Sequence, residues 1–223
     1  MASQDDAIER LLRSLSPSRE AAERIAAEVA REIRPEQERI HRVMSPVRYT
    51  LGDLALSPPC RWLPATVSRQ AEIVVREACA ALGTLEDPPG TNRGPEIDEW
   101  NRRAGVPVGS YWCAAFAGEM WRRAGVEPPP GYAACDRLMA WGRATGRWTE
   151  HVPTLGALVL YGVPGDARHV GIVVRTAPLV LSVEGNTTVE GSRLERNGTA
   201  VALKLVTADD PVLGYVHLTP LAA

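Results

Sequence analysis

The spacing of apolar residues changes part-way along the chain, and this change constrains the fold more than any other feature. Up to about residue 145, apolar side chains such as Ala71, Val74, Val75 and Ala78 recur at the spacing of amphipathic helices. After residue 155 the apolar runs are short, rich in β-branched residues and separated by Gly, Pro and Asn, as is typical of strands. Helices followed by strands predict an α+β domain with an antiparallel sheet.

The bounds of these elements follow from the same pattern. We expect helices at 68–82, 97–104, 113–124 and 138–145, and strands at 155–161, 170–174, 180–183, 200–206 and 213–217. Gly83, Gly105 and Gly125 each follow a predicted helix, where glycine favours the left-handed conformation that ends it.

A second helical region precedes this domain. Residues 1–65 contain two amphipathic helical patterns, and prolines cluster between residues 45 and 64. We therefore predict a helical segment of unknown role at 1–65 and a separate domain at 66–223. Two interpretations of the segment stay open. Its helices pack on each other or on the domain, or they bind an immunity or delivery protein.

Charge and composition exclude several classes of partner. The 223 residues carry a net charge of −2, so no basic excess favours nucleic acid. No apolar run reaches the roughly 20 residues that a membrane span needs, and the N-terminus lacks the basic and apolar regions of a signal peptide. We expect synthesis in the cytoplasm and reduced thiols at the four cysteines, which show no Cys-x-x-Cys spacing.

The run Tyr-Trp-Cys-Ala-Ala-Phe at 111–116 places a cysteine at the start of a predicted helix. The N–H groups and the macrodipole of a helix N-terminus both favour thiolate over thiol, and the thiolate is the nucleophilic form. The same N–H groups can bind an oxyanion. Cys113 is therefore the candidate nucleophile, and Tyr111 and Trp112 are candidate substrate contacts.

Two further polar sites lie on the predicted strands. His169 begins the run His-Val-Gly-Ile-Val, and Glu184 ends the next strand in the run Glu-Gly-Asn. The short interval between them suits adjacent strands, on which a carboxylate can accept the second ring N–H of the imidazole. Asn186 points the same way as Glu184 if the chain stays extended, and would orient His169 or donate to the oxyanion. The order of nucleophile, base and orienting group is that of a cysteine hydrolase.

Residues from about 70 to 218 resemble the CHAP domain, within the wider NlpC/P60-like, papain-like group of peptidoglycan amidases and endopeptidases. The resemblance rests on Trp-Cys-Ala-Ala-Phe at 112–116, His-Val-Gly-Ile-Val at 169–173 and Glu-Gly-Asn at 184–186. It implies a papain-like fold with Cys113 as nucleophile, His169 as base, Glu184 as orienting group and Asn186 as an auxiliary polar residue. The family usually has an acidic residue where this chain has Ala157.

The function that the resemblance implies is cleavage of an amide bond in the peptide stem or cross-bridge of peptidoglycan, without a metal or other cofactor. A phage lysin released on lysis, or an effector injected by specialised secretion, acts on the wall without a signal peptide. Three alternatives stay open: a cysteine protease or deamidase acting on an intracellular substrate, an inactive domain kept for binding, and a metal site formed by Cys113, Cys135 and His169.

Overall fold

The computed structural model describes residues 67–176, 180–188 and 198–221. Within them, four helices come first: α1 (Arg69–Ala80), α2 (Pro95–Arg103), α3 (Cys113–Arg123) and α4 (Cys135–Ala144). Six strands follow: β1 (Trp148–Thr149), β2 (Leu158–Val163), β3 (Asp166–Arg175), β4 (Leu181–Thr187), β5 (Ala200–Leu205) and β6 (Val212–Val216). The predicted α+β class, with helices followed by an antiparallel sheet, is confirmed.

The strands form one sheet in the order β1-β6-β2-β3-β4-β5, and each neighbouring pair is antiparallel. Two pairs in its register matter for the site. Tyr161 on β2 lies opposite His169 on β3, and Gly171 on β3 lies opposite Glu184 on β4. Because opposed residues of an antiparallel pair share a face and side chains alternate along a strand, all four of these residues lie on one face of the sheet.

Helix bounds follow the sequence signals at most ends. The Ser68 hydroxyl accepts a hydrogen bond from the Ala71 N–H at 3.2 Å and caps α1. Gly83 adopts a φ of 81°, as expected of the residue that turns the chain away from the helix. Helix α4 differs, because it begins at Cys135 rather than Leu138. That difference brings a cysteine to a helix N-terminus.

Helix α3 packs against α1, α2, β3 and β4, and its residues Cys113 to Trp121 are all buried. Gly185 on β4 allows this close approach, because a Cβ atom there would lie 2.7 Å from the Trp112 ring and 2.9 Å from Cβ of Phe116. Ala157, where CHAP domains usually have an acidic residue, is fully buried beside Val159 and Tyr161. The change therefore leaves an apolar core position.

The predicted segment at 1–65 and its boundary with the domain lie outside the described residues. The same holds for Cys60. Of the helices that the structure describes, none is long and apolar enough to cross a membrane.

Candidate active site

Cys113 is the first residue of α3. No side chain caps this helix, so its first N–H groups are left for other partners. The pKa of the Cys113 thiol lies well below its ordinary value. A hydrogen bond from Cys135 lowers it most; burial opposes the shift, and His169 and the Ala114 N–H lower it further. The structure thus favours a thiolate at the predicted nucleophile.

His169 lies on β3 and is almost completely buried. Its Nε2 lies 3.0 Å from Oε2 of Glu184. The ring also forms a hydrogen bond with Cys113, and Nδ1 is the ring nitrogen left for that bond. Burial acts to lower the pKa of His169, but the hydrogen bonds and negative charges of Cys113 and Glu184 outweigh burial and raise that pKa to about 9. The two shifts therefore favour a thiolate and an imidazolium over two neutral groups.

Glu184 is fully buried, and both of its carboxylate oxygens have partners. Oε2 faces His169, while Oε1 accepts hydrogen bonds from the Ser182 hydroxyl at 2.6 Å and the Tyr161 hydroxyl at 3.0 Å. Neither Tyr161 nor Ser182 was expected at the site from the sequence. For Ser182 a signal existed, because a residue two positions before Glu184 on a strand shares its face.

Gly171 provides the space that the Glu184 carboxylate occupies. A Cβ atom at Gly171 would lie 2.6 Å from Cγ of Glu184 and 3.2 Å from Cβ of Ser182. Real Cβ atoms do not approach other atoms to 2.6 Å, so a larger residue would displace the Glu184 side chain. The glycine of the His-Val-Gly-Ile-Val run thus lets the carboxylate on β4 lie next to the imidazole on β3.

Asn186 requires a correction. The expected extended chain is interrupted, since Asn186 adopts a left-handed φ of 52° and the β4–β5 register shifts between Glu184 and Thr187. In the amide orientation that suits Gly198 and Trp112, its NH2 group donates to the Gly198 carbonyl at 2.6 Å and its oxygen accepts from the Trp112 N–H at 3.2 Å. Asn186 thus binds the backbone just before Cys113, and Glu184 alone of the two occupies the far side of the imidazole.

The two predicted substrate contacts differ in exposure. Tyr111 is 48% exposed and lines the cleft, whereas Trp112 is completely buried. The Trp112 indole packs against Trp100 and donates to the buried Glu86 carboxylate at 3.0 Å. The expectation that the Trp112 side chain contacts substrate was therefore wrong. That side chain lies in the core and holds in place the residue before Cys113.

The sequence suggests Cys135 only as a member of a metal site. In the structure its sulfur lies 3.9 Å from that of Cys113. The following residue, Asp136, accepts a hydrogen bond from the Ala167 N–H at 2.7 Å. This bond links the start of α4 to β3, two residues before His169. In the described part of the chain, no group of three or more His, Cys, Asp or Glu side chains is arranged to hold a metal ion.

A cleft of about 190 Å³ gives access to these groups. The following residues line it: Tyr111, Cys113, Ala133, Ala134, Cys135, Asp136, Asp166, Ala167, Arg168, His169 and Asn186. Cys113 and His169 thus face a small opening lined by polar and apolar groups alike, while Glu184 is fully buried and does not line it.

The solved structures to which this chain is similar include two of low sequence identity. The P60 domain of an antigen from Mycobacterium avium subspecies paratuberculosis is 16% identical with a TM-score of 0.43, covering 68% of this chain and 96% of that one. The peptidoglycan hydrolase RipB from Mycobacterium tuberculosis is 15% identical with a TM-score of 0.44, covering 88% of this chain and 85% of that one. No protein-family model and no curated protein matches the sequence.

Proposed function

We propose that this chain is a cysteine-dependent hydrolase of amide bonds. One observation carries the proposal. A chain of hydrogen bonds runs from the cysteine at the helix N-terminus to the buried histidine and on to the buried glutamate, and the cysteine and histidine line a cleft. A nucleophile activated by a base, with the base oriented by a third group, is the arrangement used in covalent catalysis of acyl transfer.

The proposed reaction has two stages. The Cys113 thiolate attacks the amide carbonyl, and the His169 imidazolium gives its proton to the leaving amine, so that the C–N bond breaks and a thioester forms. A water molecule then attacks the thioester carbonyl while neutral His169 removes a proton from it. The carboxylic acid leaves, and the proton that His169 gained restores the thiolate–imidazolium pair.

Backbone N–H groups at the start of α3 are the proposed oxyanion donors. That helix has no side-chain cap, and the Ala114 N–H already contributes to the low pKa of the Cys113 thiol. We assign the Cys113 N–H to the oxyanion, with a second donor from the Tyr111 region or from Asn186. In this role Asn186 also holds the Trp112 backbone in place through its amide oxygen.

Peptidoglycan is the proposed substrate, and its peptide stem or cross-bridge is the proposed site of cleavage. This part rests on the resemblance of the three motifs around Cys113, His169 and Glu184 to CHAP domains. Action on the wall would follow lysis-coupled release or specialised secretion, as for a phage lysin or an injected antibacterial effector.

The test is digestion of purified peptidoglycan by the full chain. We expect new free amino groups, and mass spectrometry of the released fragments identifies the bond that is cut. Cys113→Ala is the control, because alanine suits the start of a helix and removes only the thiol. Loss of a nucleophile typically costs several orders of magnitude, so Cys113→Ala activity above about one per cent of wild type contradicts the assignment of the nucleophile.

Labelling of Cys113 by a thiol reagent at neutral pH separates the remaining alternatives. Rapid labelling without release of wall fragments indicates an amide hydrolase with another substrate, such as an intracellular protease or deamidase. Labelling no faster than that of an ordinary thiol indicates a binding domain without catalysis.

A further inference from the structure

Two thiols meet at the base of the cleft, although the proposed reaction needs only one. Cys113 begins α3 and Cys135 begins α4, and their sulfur atoms lie 3.9 Å apart. Both residues are only 7% exposed, and both line the cleft that gives access to the site. A small reagent that reaches one sulfur through the cleft therefore has the other beside it.

The two cysteines are in the reduced form. Cys135, His169 and the Ala114 N–H all stabilise the thiolate of Cys113. Cys135 is the thiol that hydrogen bonds this thiolate, so it stands where a second sulfur can attack an oxidised Cys113. A low-pKa, accessible cysteine next to a resolving cysteine is the arrangement that forms disulfides reversibly.

We propose that Cys113 and Cys135 form a reversible disulfide when the protein is exposed to a peroxide, and that this bond switches off the nucleophile. The sulfur atoms lie 3.9 Å apart, and the disulfide brings them to about 2.05 Å.

Each step of this oxidation is balanced. The Cys113 thiolate attacks one oxygen of hydrogen peroxide, the O–O bond breaks, and a sulfenic acid and hydroxide form; His169 supplies the proton that turns hydroxide into water. The Cys135 sulfur then attacks the sulfenic sulfur, the S–O bond breaks, and a second water leaves with the thiol proton. In sum, two thiols give two electrons to one peroxide and become a disulfide, which a thiol reductant reverses.

The second cysteine would protect Cys113 from irreversible oxidation. A sulfenic acid that finds no thiol is oxidised further to sulfinic acid, which thiol reductants do not reverse. Cys135 would therefore convert an irreversible loss of the nucleophile into a reversible one.

The test uses the full chain treated with hydrogen peroxide and then digested with trypsin without reduction. Trypsin places Cys113 in the peptide 104–122 and Cys135 in 124–137, with no other cysteine in either. We expect these two peptides to be joined, with the loss of two hydrogen atoms, and to separate on reduction. This readout does not depend on the proposed hydrolase activity. Failure to find the joined peptides at peroxide levels that block Cys113 labelling overturns the proposal.

Two variants sharpen the result. In Cys135→Ser we expect peroxide to convert Cys113 to sulfinic acid, so that reductant no longer restores labelling of Cys113. Cys79→Ala is the matched control, because Cys79 is buried on α1 and does not line the cleft, and it should retain full reversal by reductant. Full reversal in Cys135→Ser, or joining of Cys113 to a cysteine other than Cys135, also contradicts the proposal.

Discussion

At the scale of single residues, the charge states of Cys113 and His169 set the working pH of the site. Burial of His169 acts against its charge, yet its two hydrogen-bonded partners raise its pKa to about 9, while the pKa of Cys113 is lowered. The imidazolium therefore persists until the pH rises through about 9, and the thiolate persists until the pH falls below the lowered pKa of the thiol.

The first prediction follows from these directions. Hydrolysis should decline as the pH rises through about 9, because His169 then lacks the proton that the leaving amine needs. Alkylation of Cys113 should not decline over the same interval, because the thiolate remains. Stopped-flow alkylation and hydrolysis rates across pH 5 to 10 measure both.

Glu184→Gln provides the comparison for this pH profile. The substitution keeps the size of the side chain but removes a negative charge that raises the pKa of His169. The alkaline decline should therefore move to lower pH. An unchanged alkaline limb in Glu184→Gln would show that the decline does not report His169.

A second prediction concerns the hydroxyls that bind Oε1 of Glu184. Tyr161→Phe and Ser182→Ala each remove one donor to a buried carboxylate. Hydrogen bonds to charged groups contribute about 1.5–3 kcal/mol, so each variant should lower the free energy of unfolding by roughly that amount. We also expect kcat to fall with little change in KM, because substrate does not contact these groups.

Urea unfolding and steady-state kinetics test this second prediction together. The two hydroxyls lie 3.3 Å apart, so their effects should not be additive in the double variant. If the two hydroxyls only stabilise the fold, the variants lower stability and the hydrolysis rate still declines at about the same alkaline pH. If the hydroxyls position Glu184, this alkaline decline in rate moves to lower pH.

Sequence reasoning identified the residues whose local context carries their chemistry. Cys113 stands at a helix start, and His169 and Glu184 stand on neighbouring strands, so their placement near one another could be predicted from nearby residues. Cys135 and Tyr161 were not assigned, because their roles depend on which elements pack together. Asn186 was placed incorrectly, because a left-handed backbone at an asparagine is not visible in an alternating pattern.

At the scale of elements, Gly171 shows how strand pairing creates the site. Gly171 lies two residues after His169 on β3 and opposite Glu184 on β4. Because Gly171 has no side chain, the Glu184 carboxylate has room to lie next to the imidazole. The third prediction is that Gly171→Ala leaves the sheet intact, since alanine is tolerated in strands, but displaces the Glu184 carboxylate from the imidazole. Hydrolysis should then fall by at least about tenfold.

Gly142→Ala is the control for Gly171→Ala. A Cβ atom at Gly142 would lie 2.8 Å from Cγ2 of Val216, so this variant also crowds the core but not Glu184. It should lower the free energy of unfolding without moving the alkaline limb of the rate profile. Equal effects of the two variants on that limb would contradict a specific role for Gly171.

Within the described residues, the predicted elements were correct in type, and their errors lie at the ends. Strand β3 extends from Asp166 to Arg175, well beyond the predicted 170–174, because its polar first residues pair with β2 rather than forming a loop. The two-residue strand β1 was not predicted, since so short a run has no alternation. The early start of α4 was missed because Ala134 gives no side-chain cap.

At the scale of the whole molecule, every group of the candidate site lies within residues 86–198. The fourth prediction is that a chain shortened to residues 66–223 keeps rapid labelling of Cys113, because the described helices and strands supply its neighbours. Circular dichroism shows whether the shortened chain folds, and the full chain is the reference.

A shortened chain that folds but labels slowly would place part of the catalytic unit in residues 1–65. That result would contradict the predicted boundary between the segment and the domain.

The α+β class itself was predictable, because the change of apolar spacing is a property of the entire sequence rather than of one position. The role of residues 1–65 was not, because an amphipathic surface does not specify what it binds.

The closed environment behind the imidazole also determines the order in which molecules pass through the site. Tyr161, Ser182 and Glu184 are fully buried, so neither substrate nor water can reach His169 from their side. The water that completes the proposed reaction must then enter by the cleft, into the place that the departing amine has left. In the proposed reaction, release of the first product thus precedes hydrolysis. A concentrated external amine can enter by the same route and capture the acyl group, which would turn cleavage into ligation.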